Sequence, residues 1–204
     1  MKFRLITGAA ALLAFALVVT SCVNPFEEPL PRRDRLNYPV GLTIHPSGDY
    51  AYVVNSNFNA RYRPSAGGTV TIIDMNTMEM VPKNVPYIPS FGGYIELNED
   101  ASKAYITARQ GNSVVAFDVS ESGDRLYCSD NEDQDEHFPG ECVLDRIPDD
   151  RDGSRLPSDP FGLAVYTTQR GGQDIDVLGL SHLRGQNISS ITLPDRNKSA
   201  ATFS

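Results

Sequence analysis

YPVGLTIHPSGDYAYVVNSN at 38–57, followed by GGTVTIIDMNTMEMV at 67–81, is a unit that the chain repeats. PSFGGYIELNEDASKAYITARQGNSVVAFDVSESG at 89–123 is the second copy. Ile44 to Val54 lies over Leu97 to Thr107 without a gap, and Ala51-Tyr52-Val53 matches Ala104-Tyr105-Ile106. Val70-Thr71-Ile72-Ile73-Asp74 matches Val114-Val115-Ala116-Phe117-Asp118, with nine more residues in the first copy's intervening loop. A third, weaker copy starts at Pro160-Phe161-Gly162-Leu163-Ala164-Val165 and continues through Asp174 to Leu180.

Each copy follows one physical grammar. A strand near Gly41-Leu42-Thr43-Ile44 meets the polar turn His45-Pro46-Ser47-Gly48-Asp49. The stretch Tyr50 to Asn55 alternates and is rich in β-formers, which predicts a second strand. A third strand is expected over Thr69 to Asp74, then a turn at Asn76-Thr77 and a fourth strand over Glu79 to Val85. Four short antiparallel strands in roughly 40–50 residues make a propeller blade. A β-sandwich would also use short strands and Gly/Pro turns, but blade-length period and ungapped copies favour the propeller. The expected fold is therefore all-β, with blade-like units near 38–88, 89–127 and 160–204 and an acidic insertion at 121–159. Residues 38–204 hold three or four blades, whereas propellers close with roughly four to eight. The chain stops at Ala201-Thr202-Phe203-Ser204 within strand-like sequence, so an incomplete part of a larger propeller is expected.

Pro39-x-Gly41, the HPSGD turn, Tyr52-Val53-Val54-Asn55 and Val70 to Asp74 resemble the YVTN family of β-propeller repeats, related to the lactonase-like propellers. That family usually writes Pro-Asp-Gly in the turn and Tyr-Val-Thr-Asn in the second strand; Ser47 and Val54 depart conservatively. The second copy has Tyr105-Ile106-Thr107-Ala108 and lacks the Pro-Gly turn. The resemblance covers 38–120 well and 160–193 poorly. It implies acidic, His and Arg groups at one mouth of a central channel. Arg109 and Arg170 are expected to follow corresponding second strands and reach that mouth.

The N-terminus adds an address. Lys2 and Arg4 precede an uncharged, mostly apolar run, and Val19-Thr20-Ser21 leads into Cys22. A basic start, a short apolar middle and small residues at the cut make a secretory signal. Leu5 to Ser21 is short for a membrane span of roughly 20 apolar residues, although a retained anchor is the competing reading. A cysteine directly after the small residues resembles the lipobox of bacterial lipoproteins. That resemblance implies a signal peptide over 1–21, cleavage before Cys22 and a lipid thioether on its sulfur. Val23, in place of an aspartate, leans the expectation to the outer rather than the inner membrane. Residues 22–37, rich in proline and charge, are expected to form a stalk.

After cleavage 16 basic residues would face 26 acidic ones, a net charge of −10. Such a surface repels phosphate backbones, so no nucleic acid is expected as a partner. Membrane attachment is left to the lipid. Apart from Cys22 the chain has Cys128 and Cys142. In an oxidising compartment two leftover thiols are expected to pair, and a two-thiol metal site is the alternative.

Candidate chemistry is sparse. Asp149-Asp150-Arg151-Asp152-Gly153 lies in the acidic insertion. With Gly153 at the glycine of a calcium loop, Asp150, Asp152 and Asp159 fall on ligand positions, while Pro148 fails the first one. A solvated acidic loop is the competing reading. No Ser or Cys nucleophile carries a recognisable motif, and no cofactor other than calcium is suggested. The leading expectation is a lipid-anchored envelope propeller that binds a protein or glycan partner through its loops. The alternatives are a lactonase-like hydrolase or oxidoreductase with a channel-mouth site, or a truncated propeller without activity of its own.

Overall fold

In a computed structural model the described residues are 31–56, 67–82, 84–110, 112–128, 142–144, 159–184 and 186–193, with the backbone of 202–203. They form three antiparallel sheets, and no helix is present among them. The first sheet runs β1 (Pro39–Ile44), β2 (Tyr50–Asn55), β3 (Gly68–Asp74), with β4 (Glu79–Met80) and β5 (Tyr87–Ile88) both on β3. The second runs β6 (Gly92–Leu97), β7 (Lys103–Ala108), β8 (Ser113–Val119), with β9 (Leu126–Tyr127) and β10 (Val143–Leu144) both on β8. The third runs β11 (Pro160–Arg170), β12 (Gln173–His182), β13 (Ile188–Leu193) and β14 (Thr202–Phe203). The repeat read from the sequence is thus three successive blades, and the described residues do not close a ring.

The outermost strand differs from the expected continuous Glu79–Val85 strand. Val81 donates its N–H to Ile72 O and Val70 donates to Pro86 O, both at 2.9 Å, so the ladder on β3 is interrupted between Val81 and Pro86. Pro82 and Pro86 have no N–H to offer the ladder, which is why the strand breaks there. The second blade breaks at the same place on a larger scale. Cys128 follows β9, Cys142 precedes β10, and Ala116 N–H donates to Cys142 O at 2.9 Å. A disulfide joins Cys128 to Cys142 with Cα atoms 5.5 Å apart. The acidic insertion therefore departs from within the second blade's outer strand, and residues 121–127 belong to that blade.

Apolar faces of the sheets supply the core. Between the first two blades lie Tyr52, Val54, Ile72, Ile95, Ile106 and Phe117, all buried. Tyr105, Val114, Leu163, Leu178, Leu180 and Ile191 fill the next junction. Each fully buried side chain of this size stabilises by about 1.5–3 kcal/mol. The repeat's tyrosines bolt the blades. Tyr52 hydroxyl donates to Gly123 O of the second blade at 2.7 Å. Tyr105, its counterpart in β7, donates to Asp176 Oδ2 of the third blade at 2.8 Å. Asp176 is fully buried and also accepts from Asn98 Nδ2 at 3.2 Å and Thr167 Oγ1 at 2.8 Å.

Residues 31–37, expected as part of a stalk, lie against the first blade. The Arg33 guanidinium sits 5.5 Å over the Tyr87 ring, and Asn37 N–H donates to Asn55 Oδ1 at 2.9 Å. The expected signal peptide over 1–21, Cys22 and the part of the expected stalk before residue 31 lie outside the described residues.

Candidate functional site

One corner recurs at the same end of every blade. The residue before each first strand is left-handed without being glycine: Tyr38 (φ 56°), Phe91 (φ 57°) and Asp159 (φ 72°). Such values are rare for bulky side chains, and rings at Tyr38 and Phe91 mark a corner that its surroundings impose. A register shift follows directly in β1, β6 and β11. The carbonyl of each left-handed residue accepts from the residue just past the second strand. Ser56 N–H reaches Tyr38 O at 3.0 Å, Arg109 reaches Phe91 O at 3.1 Å, and Leu183 reaches Asp159 O at 3.1 Å.

These corners surround a cleft of about 920 Å³ at the mouth end of the first strands. Tyr38, Pro39, Val40 and Ser56 come from the first blade, Phe91, Gly92, Arg109 and Gln110 from the second, and Asp159 and Phe161 from the third. Below it the first strands meet at backbone distance. Thr107 Oγ1 donates to Phe161 O at 2.7 Å, and a Cβ on Gly93 would stand 2.6 Å from that hydroxyl and 2.9 Å from that carbonyl. Only glycine permits this approach, and the contact gives the cleft a floor.

Arg109 and Asp159 are the charged members of the described lining. Arg109 Nε donates to Asp159 Oδ1, and Nη2 donates to Oδ2 at 3.2 Å, a forked pair across the junction of the second and third blades. A planar guanidinium suits this geometry, and the fork fixes both side chains. Asp159 is further held by its own N–H, which donates to Asn112 Oδ1 at 2.8 Å. Gln110 is oriented by Ser90 N–H, which donates to its Oε1 at 3.0 Å. Aromatic rings, amide and hydroxyl groups and one donor–acceptor pair converge here, the usual make-up of a small-molecule site.

The structure sorts the residues singled out in the sequence. Arg109 lines the cleft, just past the second strand of its blade. Arg170 does not: β11 runs on to residue 170, so Arg170 ends a first strand, at the opposite end from Pro160. The Gly171-Gly172 turn (φ 64° and 81°) lets this hairpin extend several residues past its counterparts. Of the proposed calcium ligands, Asp150 and Asp152 lie outside the described residues. Asp159 is engaged by Arg109, whose cation already neutralises it. Among the described residues no group of three or more His, Cys, Asp or Glu side chains converges to hold a metal ion. His45 serves its turn, with Ser47 N–H reaching Nδ1 at 3.3 Å. His182 is buried, its Nε2 2.6 Å from Ser189 Oγ. Asn55 and Thr71 stand in the corresponding places of the first blade, Nδ2 to Oγ1 2.8 Å. The His–Ser contact is therefore a pin between second and third strands. Sequence reasoning missed the role of Asp159 and of the left-handed corners, for which non-glycine residues carry no local signal.

No protein-family model matches the chain, and no curated protein does. Solved structures do. A candidate 6-phosphogluconolactonase from Bacteroides fragilis superposes with a TM-score of 0.51 at 16% identity, over 81% of this chain and 37% of that one. The chain has a lactonase-like propeller fold. A second candidate 6-phosphogluconolactonase, from Bacteroides uniformis, gives a TM-score of 0.47 at 15% identity, over 83% of this chain and 43% of that one. The chain thus spans less than half the length of these two structures.

Proposed function

We propose that this chain is the ligand-binding end of an exported, lactonase-like propeller that takes a sugar lactone or a related sugar ring in its mouth cleft. The observation that carries the reading is the cleft itself. Three blades contribute equivalent corners to it, and the forked Arg109–Asp159 pair lies among the rings of Tyr38, Phe91 and Phe161. Arg109 keeps N–H donors beyond those spent on Asp159, and a lactone carbonyl or a ring hydroxyl is a matching acceptor. Hydrolysis would add water to the lactone carbonyl carbon, break its bond to the ring oxygen, and pass a proton to that oxygen to leave a hydroxy acid. The 6-phosphogluconolactonase assigned to the Bacteroides fragilis neighbour supports a sugar-lactone ligand class. Lipid attachment at Cys22 would place the mouth at the envelope, towards the outer membrane, where a glycan is an equally suited occupant.

Titration of the full chain with glucono-δ-lactone, with acid release followed in a pH-stat, tests the reading. Saturable binding abolished by Arg109→Ala is expected. Binding with acid release above the spontaneous rate makes the protein a lactonase, and binding without it makes it a sugar-binding module. The absence of both saturable binding and acid release overturns the proposal. For the anchor, the mass of the protein purified from the membrane fraction is expected to show residues 1–21 removed and acyl chains on Cys22; an unmodified Cys22 overturns that part.

A further inference from the structure

We infer that Asp159 sets the charge selectivity of the mouth, making it a site for uncharged sugar rings and excluding phosphorylated ones. This rests on the proposed sugar-ring reading of the same cleft. Among the described lining residues the charges are one cation and one anion, Arg109 and Asp159. They form a fork, Nη2 to Oδ2 3.2 Å, so their charges cancel locally. The anion is not free to withdraw. Its backbone is clamped on both sides, N–H to Asn112 Oδ1 at 2.8 Å and O from Leu183 N–H at 3.1 Å. Asp159 is also the less exposed partner, 19% against 38% for Arg109.

A phosphoryl group carries a charge of about −1.5 to −2 near neutral pH. To reach the remaining donors of Arg109 it must come close to the Asp159 carboxylate, and like charges at that range repel strongly. An uncharged ring meets no such opposition. Its hydroxyls have Arg109 as donor, Asp159 as acceptor, and Gln110 and Ser56 as neutral partners, while its C–H faces lie against the rings of Tyr38, Phe91 and Phe161. The selectivity is thus opposite to that suggested by a phosphorylated lactone substrate.

The test uses a stable, matched pair of ligands, 1,5-anhydroglucitol and its 6-phosphate, titrated into the full chain by NMR. The wild-type protein is expected to bind the neutral ring at least about tenfold more tightly. Asp159→Asn keeps a residue that tolerates the left-handed corner and removes the charge. In that variant the phosphate ester is expected to gain about tenfold or more in affinity, whatever the loss of the Asp159 acceptor costs the neutral ring. A gain of binding cannot come from a misfolded variant. If the variant does not fold, salt decides on the wild type: screening should strengthen binding of the phosphate ester and leave the neutral ring unchanged. Phosphate-ester binding that equals or exceeds the neutral ring, weakens with salt, or fails to rise in Asp159→Asn overturns the inference and leaves the sugar-ring reading standing. Binding of neither ligand to any form overturns that reading and the inference with it.

Discussion

The side chain of Asn84 holds both backbone polar groups of Leu126. Its Nδ2 donates to Leu126 O at 3.1 Å, and its Oδ1 accepts from Leu126 N–H at 2.8 Å. Asn84 belongs to the excursion in the first blade's outer strand, and Leu126 opens the outer strand of the second. The side chain thus acts as a one-residue strand partner between neighbouring blades. Asn84→Ala leaves a buried donor and acceptor without partners and should cost about 2–3 kcal/mol. At this chain length the melting midpoint should fall by roughly 4–12 °C, read by calorimetry. A fall of under a degree would mean that water replaces the amide.

The two repeat tyrosines should differ in worth. Tyr52→Phe removes a bond to a neutral carbonyl and should cost about 1 kcal/mol, whereas Tyr105→Phe removes one to the buried Asp176 carboxylate and should cost about 1.5–3 kcal/mol. Urea denaturation of both variants checks the order. Equal costs would argue that Asn98 and Thr167 already satisfy Asp176.

Stability should carry an acid-side dependence from Asp124. The Ser122 hydroxyl, and after it that of Ser120, donates to this carboxylate and holds its pKa below the usual carboxylate range. A depressed folded pKa means stability that is fully present above the unfolded value of about 3.9 and is lost as pH falls through the lower folded value. Asp124→Asn should therefore be less stable than wild type at pH 6, with the gap closing below about pH 3. Denaturant midpoints for both proteins between pH 2.5 and 6 would read it. A gap that does not change with pH removes Asp124 from the account.

Loss of the Cys128–Cys142 bridge should loosen one edge. Replacing both cysteines by alanine should cost up to about 3 kcal/mol. Amide exchange should quicken at Ala116, which donates to Cys142 O, and stay slow at Val119, which donates to Ser102 O. Uniform quickening would place the bridge's effect on the whole fold.

Much of each blade was legible because its signals are local. β2 at Tyr50–Asn55 coincides with the expected strand, and β3 begins one residue earlier than expected. Tyr52 and Tyr105 stood out as a matched pair, although a repeat alone does not say that they reach into the next blade. The broken outer strands were hidden because pairing with β3 and β8 resumes after an excursion whose length no periodicity reports. At the mouth, Arg109 was readable from its place after a second strand. Asp159 was not, because its partner lies 50 residues away and meets it only once the blades stack. Arg170 misled because an unusually long hairpin moved it to the other end.

The stapled break in the second blade also gives the chain a port. Cys128 and Cys142 lie at neighbouring places along one outer strand, so the 13 residues between them enter and leave the blade at nearly the same point. Whatever sequence fills 129–141, the ladder on either side closes in the same register. A foreign peptide placed between the two cysteines would meet the same pair of ends, because the bridge and the β8 pairings on either side of it lie outside the exchanged segment.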